Sequence, residues 1–401
     1  MSRVLLIGSI ILVVGSSGLF VSRRILELPA TILFWTKVSL RLSGPAGTLT
    51  ALGFRRCLGK KRAAAVAVNL TLFVATTAFS LVISEFALRV IFRNTTSTGD
   101  NKSYFAQRWR QRSVSLNTWG FRERQFELIK PDHVYRIAVI GDSFTFGQGI
   151  AEKDRFTNLL EASLNQRTCG FRYEVLNFGK CGAETIDHLV ILKDTVLKAR
   201  PDFVLLQWYV NDFEGHDKTA QPKCLPLVPS STVHRILYRS SALYFLASRE
   251  WNSIQKTFGL SGSYENYMLQ RFGDPQSPES RQPLQLLKDF VELCKLEETP
   301  VGLVLFPDAG PYLETAYPFD SLYDRVFEFS RQEDIICLDL RSAFHSRADY
   351  RKLWVNQFDH HPSSLANRLA AELLMVTFGQ VWLSQTDRAA HLPQHPCRRK
   401  L

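Results

Sequence analysis

The amino-acid sequence predicts an α/β fold with a central parallel sheet covered by helices on both faces, and it predicts a membrane anchor before that domain. The fold class follows from an alternation, beginning near Tyr135, of short apolar runs with longer helical patterns. The anchor follows from two long uncharged segments near the start of the 401-residue chain. A hydrophobic content of 45% is sufficient to bury a core of this kind.

The basic residues of the chain are concentrated in one segment, between Val21 and Ala63. That segment carries a charge of +8 out of the formal +11, because its nine basic residues are opposed only by Glu27. The nine are Arg23, Arg24, Lys37, Arg41, Arg55, Arg56, Lys60, Lys61 and Arg62. Since the rest of the chain is nearly neutral, we expect no nucleic-acid partner.

The two uncharged segments, Val4–Ser22 and Ala63–Ser84, flank this basic segment. Each is long enough to cross a bilayer, which takes about 20 apolar residues. The first could instead be a cleaved signal peptide, although no clear small-x-small site follows it, and either could be a buried core helix. The charge asymmetry favours two spanning helices (about 4–22 and 63–84), with a cytoplasmic basic loop between them. The sequence thus predicts a two-pass anchor over residues 1–93 and an extracytoplasmic domain beyond it.

Apolar runs rich in Val, Ile, Leu and Phe predict the strands of the sheet, each covered on both faces. These runs are Tyr135–Ile140, Tyr173–Phe178, Phe203–Val210, Val301–Phe306 and Ile335–Leu340. Helical patterns follow or separate them at Asp154–Gln166, Thr185–Ala199, Pro283–Leu296, Ser321–Gln332 and Ser363–Leu383. We therefore expect a linker over residues 94–134, a domain over 135–385 and a basic tail over 386–401.

One stretch, Glu214–Gln282, is too long for a loop of a compact α/β unit and is predicted to be an insertion. Leu243, Ala247 and Trp251 recur in it at helical spacing. It is either a helix packed on the domain or a lid over a site at the carboxyl ends of the strands.

The seven cysteines indicate no particular chemistry. Cys57 falls in the basic loop, and the six after it would permit disulfides outside the cytoplasm, but their spacing fixes no pairing. Because no zinc-binding spacing occurs, we expect neither a metal nor a cofactor.

The triplet Gly141-Asp142-Ser143 directly follows the first predicted strand, at its carboxyl end. A phosphate-binding loop is excluded because no Lys-Ser/Thr pair follows. The GxSxG elbow is excluded because Thr145 stands where its second glycine belongs. Ser143 is therefore either a helix cap or a candidate nucleophile.

Three further fragments lie where a serine hydrolase needs partners for its nucleophile. The second strand is followed by a glycine-containing turn with Gly182, the third by Asn211-Asp212, and the last helix is preceded by Asp359-His360-His361-Pro362. Backbone N–H groups near glycines and an amide side chain can bind an oxyanion, while an acid and a histidine can activate a serine. Each fragment could instead have a purely structural role, as a turn or a surface histidine. Asp359 with the two neighbouring histidines could also form a metal site.

The order and spacing of the four fragments resemble the SGNH superfamily, also called the GDSL hydrolases. The resemblance covers about Tyr135 to Leu383, and it is closer to bacterial membrane-anchored SGNH proteins of uncharacterised substrate. In those, segments like Glu85–Arg89 and Gly120–Arg122 also occur. The resemblance implies a flavodoxin-like, three-layer domain with a central parallel sheet.

The same resemblance implies a role for each site residue. Ser143 would be the nucleophile, His361 the base, and Asp359 the residue that orients it. The oxyanion hole would consist of the backbone N–H groups of Ser143 and Gly182 and the side chain of Asn211.

Two positions depart from the family pattern. Tyr209 stands where the third block usually has glycine, and its ring could narrow or reshape the pocket. The acid and the base are spaced Asp359-x-His361 rather than Asp-x-x-His, a spacing shared by many relatives with His-Pro.

These observations predict a membrane-anchored serine esterase or acyl transferase that works through an acyl-serine intermediate. The predicted location favours an ester of an envelope glycan or lipid as its substrate. The rival prediction is a catalytically silent binding or assembly module of the cell envelope, which Tyr209 keeps open.

Overall fold

The computed structural model describes residues 47–167, 171–215, 220–308, 316–345, 347 and 349–389. The chain divides into two compact units, Met1–Arg93 and Asn94–Leu401. The predicted first membrane segment, 4–22, and most of the basic loop lie outside the described residues, as does the basic tail.

The described part of the first unit is one helix, α1 (Gly47–Ile91). Among the described residues, the one helix long and apolar enough to cross a membrane is its portion Ala64–Ile91. The hydroxyl groups of Thr71 and Thr76 donate to backbone carbonyls four residues earlier, which satisfies polar groups on an apolar helix. The helix begins earlier than the predicted span of about 63–84: the basic residues after Gly47 are helical and continuous with the apolar segment, because Lys, Arg, Leu and Ala are strong helix formers.

The segment 94–134 was expected to be a linker but is part of the second unit. It contains α2 (Tyr104–Ser113), whose N-cap Ser103 accepts a hydrogen bond from the backbone N–H of Ala106. The aromatic side chains of α2 are buried, and this burial is the physical reason that the segment folds with the domain. Further on, the buried guanidinium of Arg122 donates to backbone carbonyls just after the candidate nucleophile, including that of Gly147 at 2.7 Å.

The central sheet is parallel, as predicted, and among the described residues it has five strands in the order β2-β1-β3-β4-β5. The strands are β1 (Val134–Gly141), β2 (Arg172–Gly179), β3 (Phe203–Trp208), β4 (Val301–Leu305) and β5 (Ile336–Asp339). This order is that of flavodoxin-like folds, in which ligands bind at the carboxyl edge where the strand order reverses. Here the reversal lies beside β1.

Alternate residues of β1 point to opposite faces of the sheet and enter two separate cores. Ala138 and Ile140 belong to one hydrophobic cluster, whereas Ile137 and Val139 belong to the other. The first cluster includes residues of the helices that cover one face, and the second includes residues of the long C-terminal helix on the other face. Burial on both faces explains why the strands are continuous apolar runs in the sequence.

The remaining helices of the described domain cover and connect these strands. They are α3 (Ser143–Phe146), α4 (Phe156–Asn165), α5 (Thr185–Ile191), α6 (Ser231–Ser240), α7 (Ala242–Thr257), α8 (Tyr264–Phe272), α9 (Pro278–Leu296), α10 (Asp320–Gln332), α11 (Arg341–His345) and α12 (Ser364–Ala389). Short 3₁₀ turns occur at Glu152–Asp154, Leu197–Ala199, Val210–Phe213 and Tyr350–Leu353.

Two predicted helices have different bounds. The helix predicted over Thr185–Ala199 ends as α at Ile191 and continues as a π turn, Leu192–Val196, and a 3₁₀ turn. The helix predicted from Pro283 begins at Pro278, because Ser277 caps it by accepting the N–H of Ser280.

The insertion contains α6, α7, α8 and the start of α9, and it packs on the domain. Arg249 of α7 donates to the backbone carbonyl of Phe358 at 2.9 Å, and its guanidinium lies over the Phe358 ring. Tyr238 of α6 donates to the carboxylate of Asp100 at 2.7 Å. The insertion therefore supports the turn that joins the two strands of a short antiparallel sheet, β6 (Trp354–Asn356) and β7 (Asp359–Pro362).

Candidate active site

Ser143 is the first residue of α3, a single turn of helix directly after β1. The buried carboxylate of Asp142 caps this turn by accepting the N–H of Phe144 at 2.8 Å. Gly147 ends the turn in the left-handed conformation, at a φ of 74°. Burial raises the pKa of Asp142 to about 6, against the opposing effect of the Phe144 N–H. Asp142 therefore has a structural role, as its position suggests, and Ser143 is left half-exposed at the carboxyl edge of the sheet.

The turn of α3 is held close to the end of β2. A Cβ built on Gly179, the last residue of β2, would lie 2.3 Å from the backbone nitrogen of Phe146. Only glycine permits this approach of two backbones. The β1 and β2 strands are paired from Val134 and Arg172 to Gly141 and Gly179, so both end at the same level. The sequence after each strand is thereby placed at one edge.

A chain of contacts joins the candidate nucleophile, base and acid. The distance from Ser143 Oγ to His361 Nε2 is 2.8 Å. His361 Nδ1 forms a short contact with Asp359 Oδ1, and the backbone N–H of His361 donates to the same oxygen at 3.0 Å. With the proton of the neutral ring on Nδ1, Nε2 is free to accept the serine proton. The structure thus brings together the three residues predicted as a triad, 218 positions apart in the case of Ser143 and His361.

The electrostatics of the pair suit a base and its orienting acid. Burial opposes the charge on His361, but the carboxylates of Asp359, Asp142 and Asp308 outweigh it and raise the pKa of the imidazole. Burial also opposes the charge on Asp359, but the interaction with His361 outweighs it and lowers the pKa of this carboxyl to about 2. Asp359 is therefore ionised at neutral pH and stabilises a protonated His361.

The residues predicted as oxyanion donors follow three adjacent strands. Ser143 follows β1, Gly182 follows β2 and Asn211 follows β3, and β1 lies between the other two. Gly182 has a φ of 76° in an exposed turn, where a Cβ would meet nothing. Asn211 is half-buried, and its Oδ1 is buried without a hydrogen-bond partner among the described residues. The three turns thus share the edge that carries the serine.

Tyr209, the departure from the family pattern, is held beside the site by contacts at both ends. Its ring packs against Phe144 with 4.6 Å between centroids, and Phe144 in turn lies 5.3 Å from the His361 ring. Its hydroxyl donates to the carboxylate of Asp308 at 3.2 Å, and its backbone N–H donates to Asp212 at 2.9 Å. The ring is therefore linked to His361 through the ring of Phe144.

Three residues near the site were not identified from the sequence. Asp308 follows β4 as the other site residues follow their strands, so its position after a strand could have indicated it. His188 is a fully buried polar residue of α5, in line with the buried Thr185 and Ile191, and it lies 3.2 Å from Asp212. Arg249 supports the backbone before Asp359 from a distant insertion, and no local pattern reveals that contact.

The two histidines considered as metal ligands, His360 and His361, have different surroundings. The ring of His360 packs on Trp354 at 4.3 Å while His361 turns to the serine, so the two imidazoles have separate neighbours. Burial lowers the pKa of His360.

Among the described cysteines, Cys181, Cys224, Cys294 and Cys337 are free thiols.

Comparison with known proteins gives matches in solved structures alone. No family model matches the chain, and no curated protein does. Similar structures include a member of the lipolytic G-D-S-L family from Veillonella parvula, with 13% identity, a TM-score of 0.38, and 61% of this chain and 99% of that chain covered. A lipase/acylhydrolase from Enterococcus faecalis has 17% identity and a TM-score of 0.37, with 61% and 95% covered. The acetyl xylan esterase AlAXEase has 15% identity and a TM-score of 0.38, with 60% and 98% covered. At these values the likeness carries no argument about activity, which rests on the residues of the site.

Proposed function

We propose that this protein is an SGNH-type ester hydrolase that works through an acyl-serine intermediate. The observation that carries the proposal is the continuous contact from Ser143 Oγ to His361 and from His361 to the buried carboxylate of Asp359. A serine at a strand end is common, but a serine in reach of an imidazole that is itself oriented by an acid is an activated nucleophile.

The reaction would begin when Ser143 Oγ attacks the ester carbonyl carbon and its proton passes to His361 Nε2. The carbonyl oxygen becomes an oxyanion, which the backbone N–H groups of Ser143 and Gly182 and the side-chain amide of Asn211 would bind. The C–O bond to the alcohol then breaks, and His361 returns its proton to the leaving oxygen. Asp359 stays ionised throughout and stabilises the imidazolium.

A second half-reaction would release the acyl group. A water molecule loses its proton to His361 Nε2 and attacks the acyl-serine carbonyl. When the second oxyanion collapses, the bond from the carbonyl carbon to Ser143 Oγ breaks, His361 returns the proton to Oγ, and the acid is released. If an acceptor hydroxyl replaced the water, the same residues would perform acyl transfer, since the two outcomes differ only in whether water is excluded.

The proposed location is a membrane surface, with the domain outside the cytoplasm. It is supported by the apolar helix Ala64–Ile91 and by the basic residues that precede it in the sequence. An ester of an envelope glycan or lipid is the substrate that this location favours. A reporter active only outside the cytoplasm should work when fused after Leu401 and fail when fused near Gly59; the reverse pattern would place the domain in the cytoplasm and remove this substrate class.

A fluorophosphonate probe distinguishes the enzyme from a silent binding module, because only an activated serine reacts with it. The full-length protein should be labelled at Ser143 and should hydrolyse a short-chain aryl ester. Ser143→Ala should abolish both, whereas Ser231→Ala, at an exposed serine of the insertion, should change neither. Labelling that persists in Ser143→Ala would contradict the proposed mechanism.

A further inference from the structure

A second aspartate–histidine pair lies behind the candidate oxyanion hole. His188 Nδ1 is 3.2 Å from Asp212 Oδ1, and both side chains are fully shielded from solvent. The triad does not use either residue. A buried carboxylate is costly unless it is paired, so the presence of a histidine here requires an explanation beyond packing.

The two members of this pair belong to the two turns that flank Ser143. Asp212 is the residue after Asn211, in the turn that follows β3. His188 lies on α5, which begins three residues after Gly182 in the turn that follows β2. Each turn therefore carries one candidate oxyanion donor and one member of the pair.

The Asp212 carboxylate forms further contacts that bind these turns together. Its Oδ2 accepts the backbone N–H of Tyr209 at 2.9 Å, which closes the Asn211 turn. Its Oδ1 accepts the hydroxyl of Thr185, the first residue of α5, at 3.1 Å. One carboxylate thus contacts the β3 turn once and α5 twice, at Thr185 and at His188.

The pKa of His188 depends on burial and on three nearby carboxylates. Burial opposes the charge, but the carboxylates of Asp212, Asp142 and Asp187 outweigh it and raise the pKa of the imidazole. Asp142 also caps the turn of Ser143. His188 therefore interacts electrostatically with the carboxylate that caps the turn of Ser143 and with the one that closes the turn of Asn211.

We propose that His188 is a positioning residue: its buried ion pair with Asp212 fixes the Gly182 turn and the Asn211 turn at the separation that an oxyanion requires. The proposal rests on the proposed function for its catalytic consequence. Its structural content, the coupling of two turns by one ion pair, can be measured without any substrate.

The structural measurement is backbone hydrogen exchange on the full-length protein, followed in peptides that cover residues 180–184 and 209–213. His188→Gln leaves Asp212 buried without a charge partner, so exchange should accelerate in both segments at once. The double variant His188→Gln with Asp212→Asn replaces the ion pair by two amides that can hydrogen-bond without charge, and exchange should return towards wild type. Val326→Ala, which truncates a buried side chain of α10, is the control for a general loss of stability.

The catalytic measurement uses a short-chain aryl ester and a trifluoromethyl ketone, which forms an oxyanion on the serine. In His188→Gln we expect kcat to fall about tenfold or more with KM nearly unchanged, because misplaced donors affect the transition state more than the bound ester. The affinity for the ketone should fall in parallel, and both should recover in the double variant.

The outcomes separate the two proposals. Acceleration in both segments with recovery in the double variant supports the positioning role. Acceleration in one segment only, the same acceleration in Val326→Ala, or no recovery in the double variant overturns it. If the wild-type protein hydrolyses no ester and is not labelled at Ser143, the proposed function fails, and the exchange experiment still decides the role of His188.

Discussion

The two aspartate–histidine pairs differ in what the second ring nitrogen of each histidine contacts. His361 keeps 13% of its side chain exposed, and its Nε2 lies 2.8 Å from Ser143 Oγ. His188 is fully buried; its Nδ1 lies 3.2 Å from Asp212 Oδ1 as a charge pair without hydrogen-bond geometry, and its Nε2 has no hydrogen-bond partner among the described residues either. Both imidazoles have a raised pKa for the same reason, since nearby carboxylates outweigh burial. The comparison teaches that a histidine beside an aspartate can act as a general base only where its second ring nitrogen also contacts a nucleophile, from which it can take a proton and to which it can return it.

The largest expected effect comes from removing the serine or the ring that contacts it. Ser143→Ala and His361→Ala should each lower kcat for an aryl ester by about 10⁴-fold or more. The double variant should be little worse than either single one, because the residues act as a unit. Steady-state and single-turnover kinetics measure this. Substantial turnover in His361→Ala would show that His361 is not the general base.

Asp359→Asn should lower kcat by about 10³–10⁴-fold, since the amide neither fixes the tautomer nor stabilises the imidazolium. The pH dependence follows from the same pair. The base must be neutral, so activity should be lost as pH falls through a pKa above the ordinary value of about 6.5 for histidine. In Asp359→Asn the chief cause of the raised pKa is gone, and the acidic limb of kcat/KM should move to lower pH. An unchanged limb would show that it reports another group.

Asn211→Ala should lower kcat by about 10²–10³-fold with KM little changed, because an amide aimed at the oxyanion acts mainly in the transition state. Asn211→Asp should be at least as harmful, since a carboxylate repels an oxyanion. Slow labelling by a fluorophosphonate should persist in Asn211→Ala, because His361 and Asp359 are untouched. A wild-type kcat in Asn211→Ala would show that Asn211 does not bind the oxyanion and that the turn after β3 is only structural.

The smallest effect is expected at Tyr209, which contacts Phe144 beside the triad and Asp212 of the second pair. Tyr209→Phe removes the hydrogen bond to Asp308 but keeps the ring on Phe144 and the backbone bond to Asp212. Since one such hydrogen bond contributes about 1 kcal/mol, we expect kcat/KM to change by about fivefold at most. A loss of a hundredfold would place the Tyr209–Asp308 pair within the catalytic machinery.

Much of the domain was predictable because its signals are local. The strands were found to within one or two residues at most ends, since a strand buried on both faces must be a continuous apolar run. The candidate site was predictable because Ser143, Gly182 and Asn211 each follow such a strand, and parallel strands bring their carboxyl ends to one edge. The segment 94–134 was misjudged as a linker because Arg122 and the aromatic residues of α2 acquire partners only when distant parts of the chain surround them.

The sequence by itself predicted the α/β fold class and the positions of the strands, because periodicity is a property of the chain, while the resemblance of its motifs to a family implied the triad residues. The pair of Asp359 and His361 was predicted, but tertiary structure alone brought a second acid and histidine together. His188 and Asp212 are 24 positions apart and belong to turns after different strands, so no local pattern pairs them. It also decided that Tyr209 packs on Phe144 rather than projecting freely, because Phe144 and Asp308 fix its ring and hydroxyl from elements far apart in the sequence. Such contacts depend on how the strand ends converge, which is set by the sheet as a whole.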